Sequence, residues 1–186
     1  MSKKIKVDLS VQGIEKIKQE LINYKNDLQV KCNEIVSRLT QLGLLVAKAK
    51  INESPMGKYV SIEVHISTEN NVCKSLLLAT GEIKEHEGYE PFNVLLAVEF
   101  GAGIYYNKEP NPNADKFDLG VGTFPNQIHA FENGWYYYGE DEKWHYTHGT
   151  KATMPMYKAS EEMKNNILKI AKDVFREWFY IWKYYL

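Results

Sequence analysis

Three histidines and one isolated glutamate carry most of this chain's capacity for chemistry. His129, His145 and His148, with Glu132 near the first, supply ligand types suited to zinc. A hydrolytic zinc site needs three or four convergent ligands and keeps one position open for water. His145 and His148 flank Tyr146-Thr147 in a segment that reads as a strand. If that segment folds back, His129 could join them, but a three-residue offset on a strand turns the two later rings to opposite faces. Exposed or hydrogen-bonded histidines are the simpler reading. No metal site is assigned and no cofactor is expected.

Glu99 stands in an apolar run beside Phe100, where burial would raise its pKa and give it the look of a catalytic acid. No second acid at a fixed spacing forms a carboxylate pair with it. The expected role is therefore structural, with the carboxylate accepting backbone N–H groups or Arg/Lys donors at the glycine turn that follows. Gly101-Ala-Gly103 and Gly120-Val-Gly122-Thr123 are rich in glycine, but neither links a strand to a helix through a Lys-Ser/Thr pair, so neither is a phosphate cradle. There is no Gly-x-Ser-x-Gly elbow. Cys32 and Cys73 have no neighbours that suggest a nucleophile, and two cysteines read as free thiols of a reducing compartment. No catalytic residue is assigned, and the chain is not expected to be an enzyme.

Bulk properties favour one globular domain spanning residues 1–186. Apolar residues make up 44% and charged residues 25%, which is enough to build a core and excludes dominant disorder. No apolar run follows the basic residues Lys3, Lys4 and Lys6, so no secretory signal is expected, and nothing has the length of a membrane span. The net charge of −1 hides a division: residues 1–58 carry +5, residues 59–150 carry −9, and residues 151–186 carry +3. An acidic middle is unsuited to gripping phosphate.

The elements that must position these residues can be read from periodicity. Ile5, Val7 and Leu9 alternate with polar residues, as in a short strand. Ser10 offers a helix cap. From Val11 to Ile51 the apolar positions Ile14, Ile17, Leu21, Tyr24, Leu28, Cys32, Ile35, Leu39, Leu42, Val46 and Ala49 form one stripe. A four-four step at Leu28 would unwind a coiled-coil seam there. A continuous helix of about 38 residues runs roughly 57 Å, against a domain on the order of 32–40 Å across. The helix must break, near Asn33 or Gly43, or reach a neighbouring subunit.

Pro55 and Gly57 end that helix. Val60, Ile62, Val64 and Ile66 alternate as a strand, Asn70-Asn71 marks a turn, and Cys73 to Thr80 supplies a pairing strand. Pro91 to Phe100 fits a short helix or a buried strand equally. Residues 103–148 form a long aromatic-rich insertion containing a hairpin, Trp135–Tyr138 with Lys143–Thr147. A final helix runs from Pro155 or Met156 to about Tyr184, with Thr153 or Thr150 as its cap. The expected class is α+β: a mainly antiparallel sheet of four to six strands packed against a long N-terminal helix and a C-terminal helix.

Two fragments carry a family resemblance. Ala97-Val98-Glu99-Phe100-Gly101-Ala102-Gly103 and Gly149-Thr150…Thr153-Met154-Pro155-Met156-Tyr157-Lys158-Ala159 resemble the phage neck family described as head–tail connector or tail-completion morphogenesis proteins, the gene-product-ten-like family of long-tailed phages. In that family an "EFGT" turn is followed, after a variable insertion, by a Pro-aromatic/Met helix start with Ala a few residues on. Glu99, Phe100 and Gly101 match the turn; Pro155, Met156 and Ala159 match the helix start. Ser54-Pro55-Met56-Gly57 departs from the family's corresponding "P-x-(T)G" segment.

The resemblance implies a structural virion protein of the neck, a subunit of a hexameric ring made in the host cytoplasm. Its partners would be copies of itself, the capsid connector or adaptor, and the tail terminator or tail tube, with DNA passing through unbound and no membrane. Trp135, Tyr137, Trp178, Phe179, Trp182 and Tyr185 are the interface candidates, since aromatic residues anchor interfaces. Glu82, Glu85, Glu87, Glu90, Glu109, Asp115 and Asp118 are candidates for the wall of a DNA channel. Two other classes stay open: a carbohydrate- or wall-binding module built on the aromatic hairpin, and a hydrolase with a metal at the three histidines.

Overall fold

The computed structural model describes residues 10–85, 91–103, 111–117, 134–139 and 141–184; for Asp115 and for residues 179–184 it describes the backbone only. The architecture is α+β, as expected, with antiparallel pairing throughout and a long helix at each end. Among the described residues the strands form three two-stranded ladders rather than one sheet. The strand expected at Ile5–Leu9 lies outside the described residues.

Helix α1 (Val11–Asn52) is continuous over 42 residues, about 63 Å at the ordinary helical rise. It breaks at neither Asn33 nor Gly43. Ser10 caps it as expected, its hydroxyl accepting the Gly13 amide at 3.1 Å. Gly43 lies directly under Met163: a Cβ there would stand 2.6 Å from the Met163 sulfur, so that flexible side chain would have to shift to admit one.

Strands β1 (Val60–Glu69) and β2 (Val72–Gly81) form a hairpin turned by Asn70 and Asn71, both at positive φ. A two-residue loop in that conformation matches the right-handed twist of the strands, and asparagine tolerates it well. The inner face of the hairpin lies on α1. Thr40 donates to Ser75 Oγ at 2.7 Å, and Asn33 accepts from Cys73 and Thr68. Val60, Ile62 and Val64 are half-buried on that face, while Leu76 and Leu78 point outward and stay exposed.

The ambiguous run at Pro91–Phe100 divides. Phe92–Asn93 forms strand β4, paired with β3 (Ile83–Lys84), and Val94–Phe100 forms helix α2. Asn93 makes the switch, its side-chain oxygen accepting the amides of Leu95 and Leu96. Helix α2 buries Val94, Ala97, Val98, Glu99 and Phe100. A short 3-10 turn at Ala114–Phe117 covers its end, with the Phe100 and Phe117 rings 5.5 Å apart.

The expected aromatic hairpin is present as β5 (Trp135–Tyr138) and β6 (Trp144–Thr147). Helix α3 (Pro155–Tyr184) then runs antiparallel to α1: Met163 lies beside Gly43, and Lys31 reaches over the Trp178 ring at 5.4 Å. Small residues at the crossing let the axes approach, with Ala47 and Ala159 wholly buried. Arg38 joins the helices further along, its Nη1 and Nη2 gripping the two Glu177 oxygens at 2.9 and 2.6 Å. The core thus sits between the C-terminal half of α1, helix α2 and the first half of α3. The N-terminal turns of α1 project beyond it.

Candidate functional site

The structure brings together the two fragments that carry the family resemblance, and Glu99 is the link. Helix α2 ends with the Gly101 amide donating to the Ala97 carbonyl at 2.8 Å, and the positive φ of Gly101 then turns the chain out of the helix. Ala102 and Thr150 then pair in both directions at 2.8 Å. That pairing demands close backbone approach: a Cβ on Gly149 would overlap the Ala102 carbonyl oxygen, and Gly149 has a φ of 100°. Residues 149–154 are therefore led directly past α2. The Thr153 amide and hydroxyl both donate to the Val98 carbonyl, at 3.0 and 3.3 Å.

Pro155 opens α3 in a fully buried position, and the next two amides point back at α2. Met156 N–H donates to Glu99 Oε2 at 2.9 Å, and Tyr157 N–H donates to Oε1 at 3.0 Å. Asn111, only 2% exposed, adds its side-chain amide to Oε1 at 2.9 Å. Glu99 thereby caps a helix that begins 56 residues after it in the chain. The expectation that Thr150 or Thr153 would cap α3 is corrected: Thr153 donates to Val98, and Thr150 donates toward the Met56 sulfur. The Glu99 bonds come from the first turn of α3, not from its own glycine turn.

Two effects oppose each other at this carboxyl. Burial pushes its pKa above the ordinary carboxylate value. The Met156 and Tyr157 amides and the Asn111 side chain pull it back down by favouring the charged form. The positive end of α3 acts in the same direction as the amides. Three of the roughly four acceptor positions of the carboxylate are filled by the protein itself. The arrangement fixes one helix on another and leaves little of the group for a substrate.

The aromatic hairpin sorts its rings by face. Tyr136, Tyr138, Trp144 and Tyr146 occupy one exposed face, Trp144 being 68% exposed. The Tyr136 and Tyr146 rings are tilted by 55°, and those of Tyr138 and Trp144 by 67°. Such rings interlock across the strands and do not form a flat platform. On the other face Trp135 packs near Gly103 and Tyr137 stacks on His145, whose Nε2 lies 2.7 Å from Asp141. The histidine pair behaves as strand geometry requires, since His148 instead lies edge-on to Tyr146.

Among the described residues, no three His, Cys, Asp or Glu side chains gather as metal ligands. His129 and Glu132 lie outside the described residues. Trp178 is half-buried against α1; the side chains of Phe179 and Trp182, and Tyr185 as a whole, lie outside what is described. Of the candidate channel acids, Glu82 and Glu85 are exposed beside β3, and Asp115 belongs to the 3-10 turn. Glu87, Glu90, Glu109 and Asp118 lie outside the described residues. Among the described residues, no helix is long and apolar enough to cross a membrane.

Sequence reasoning missed Asn111 and the Arg38–Glu177 pair. Asn111 sits among asparagines and prolines with nothing to distinguish it. Arg38 and Glu177 are separated by most of the chain. The chain matches no protein-family model, and neither the curated proteins nor the solved structures contain a significant match to it.

Proposed function

We propose that this chain is a structural subunit of a phage neck, working in a ring, six-fold as the resemblance implies, between the capsid connector and the tail. The observation that carries the assembly role is apolar surface left uncovered on three separate elements. Leu21 and Tyr24 on α1 are 60% and 62% exposed, Leu76 on β2 is 56% exposed, and Trp144 on β6 is 68% exposed. On α1 the Leu21 surface is continuous with Ile14, Ile17 and Ile22, and contiguous apolar surface of this kind marks a site of protein association. The neck identity rests on the sequence resemblance. It is supported by the buried, structural use of its one motif acid, Glu99, which holds the turn fragment against the helix-start fragment.

In that setting Glu82 and Glu85 contribute to an acidic channel wall, which repels phosphate and lets DNA slide. The test is removal of the gene from a phage that carries it. Filled heads and separate tails should accumulate, and supplying the purified chain should join them. Normal joined virions without the chain would refute the reading. Lysines at Glu82, Glu85 and Glu109 should preserve assembly and slow DNA exit; unchanged ejection would remove the channel role.

A further inference from the structure

The N-terminal turns of α1 leave Ile14, Leu21, Ile22 and Tyr24 exposed, with Ile17 and Leu28 half-buried beside them. Ile14, Ile17, Leu21 and Ile22 line a shallow groove with the stems of Lys18 and Lys25. Ile14, Ile17, Leu21, Tyr24 and Leu28 follow the three-four spacing of a heptad seam: Ile14, Leu21 and Leu28 at a, Ile17 and Tyr24 at d. The charges beside this seam are sorted by position. With that register, Lys18 and Lys25 fall at e, and Glu20 and Asp27 fall at g.

This sorting selects both the partner and its direction. In a parallel coiled coil, g of one helix meets the following e of its partner. Glu20 of one copy then faces Lys25 of the other, and the symmetric pair forms as well. In an antiparallel pair g meets g and e meets e, so acids would meet acids and lysines would meet lysines. We infer that residues 14–28 of α1 form a parallel, in-register coiled coil with the same residues of a second copy of this chain.

Both ends of the seam are defined. Beyond Leu28 the stripe steps by four to Cys32, and the next d position is Lys31, whose ammonium lies over the Phe175 and Trp178 rings of α3. The hairpin also reaches α1 there, through Gln29 and Asn33. So the face turns from a second copy to the chain's own elements within one helical turn. Little more than two heptads would be too short to associate as a free peptide, because helix nucleation is costly. Here the remaining turns of α1, held by α3 and the hairpin, have already nucleated the helix.

This inference does not rest on the neck reading. Sedimentation equilibrium of the full chain should show reversible self-association at about 100 µM or below, and Leu21→Asp should abolish it while the circular dichroism stays unchanged, Leu21 being far from the core. Glu20→Lys and Lys25→Glu should each weaken association by about tenfold, because two attractive pairs become repulsive. The double variant, or an equimolar mixture of the two single variants, should restore it. A monomer throughout, or association indifferent to Leu21→Asp, would overturn the seam. Stronger association from either single charge reversal, or no response to both, would overturn the parallel orientation.

Discussion

Removing the Glu99 carboxylate should destabilise the fold by an amount that follows from its three bonds. Alanine at this position leaves the Met156 and Tyr157 amides without their cap, a loss of about 1–2 kcal/mol by comparison with helix caps elsewhere. It also takes from the Asn111 side chain, 2% exposed, its partner at 2.9 Å, and an unsatisfied buried donor costs about 1–3 kcal/mol. Together Glu99→Ala should cost about 3 kcal/mol, lowering Tm by roughly 6–12 °C in a chain of this size. Glu99→Gln keeps one acceptor oxygen but turns an NH2 group toward the helix amides, so it should cost about half as much.

The two substitutions should also separate by pH. Burial raises the Glu99 pKa, so just above the ordinary carboxyl value the folded chain holds a proton that the unfolded chain has released. That contribution to stability is complete below the ordinary value and is lost as pH rises through the raised one. Gln cannot titrate, and the falling limb should be missing from its profile. Urea unfolding across pH 4 to 8, at constant m-value, measures both effects. Loss below 1 kcal/mol for Glu99→Ala, or Glu99→Gln as stable as the unmodified chain at neutral pH, would refute the capping role.

Gly149→Ala should prevent the Ala102–Thr150 pairing and give a chain that is unfolded or lacks protease resistance around residue 150; a normal Tm would refute the close approach. Arg38 holds the Glu177 pKa below its ordinary value by hydrogen bonding. The stability this pair contributes is therefore present above the ordinary carboxyl pKa and is lost as pH falls through the depressed value. Glu177→Gln should show a small Tm change at pH 7 that shrinks as pH falls below the ordinary carboxyl value, checked by calorimetry. Val64→Asp, which puts a carboxylate on the hairpin face against α1, should cost about 2–3 kcal/mol in urea unfolding; an unchanged midpoint would displace Val64 from that face.

The parts legible in the sequence were those with a local cause. The Ser10 cap, the period of α1, the Asn70-Asn71 turn and the aromatic hairpin each follow from neighbouring residues, and all are present. Pro91–Phe100 was ambiguous because a short apolar run suits both strand and helix, and Asn93 decides between them by capping Leu95 and Leu96. The cap of α3 was misplaced for a related reason: Thr150 and Thr153 are near in sequence, whereas Glu99 is near only in space. The division of the strands into three ladders was equally hidden, since alternation shows which face of a strand is buried but not which strands adjoin.

The junction of Ala102 with Thr150 has a consequence for how this chain can change. The two residues close a ring of backbone whose base is rigid, with Gly149 fitted against Ala102 and Glu99 fixed on α3. The entropy of closing a flexible loop rises only logarithmically with its length, so doubling it costs about 0.6 kcal/mol. Outside Asn111–Phe117, which packs on Glu99 and Phe100, segments between residues 103 and 149 can therefore be lengthened, shortened or replaced while α1, α2 and α3 keep their places. A chain built this way can alter what it presents to its surroundings faster than it alters its frame.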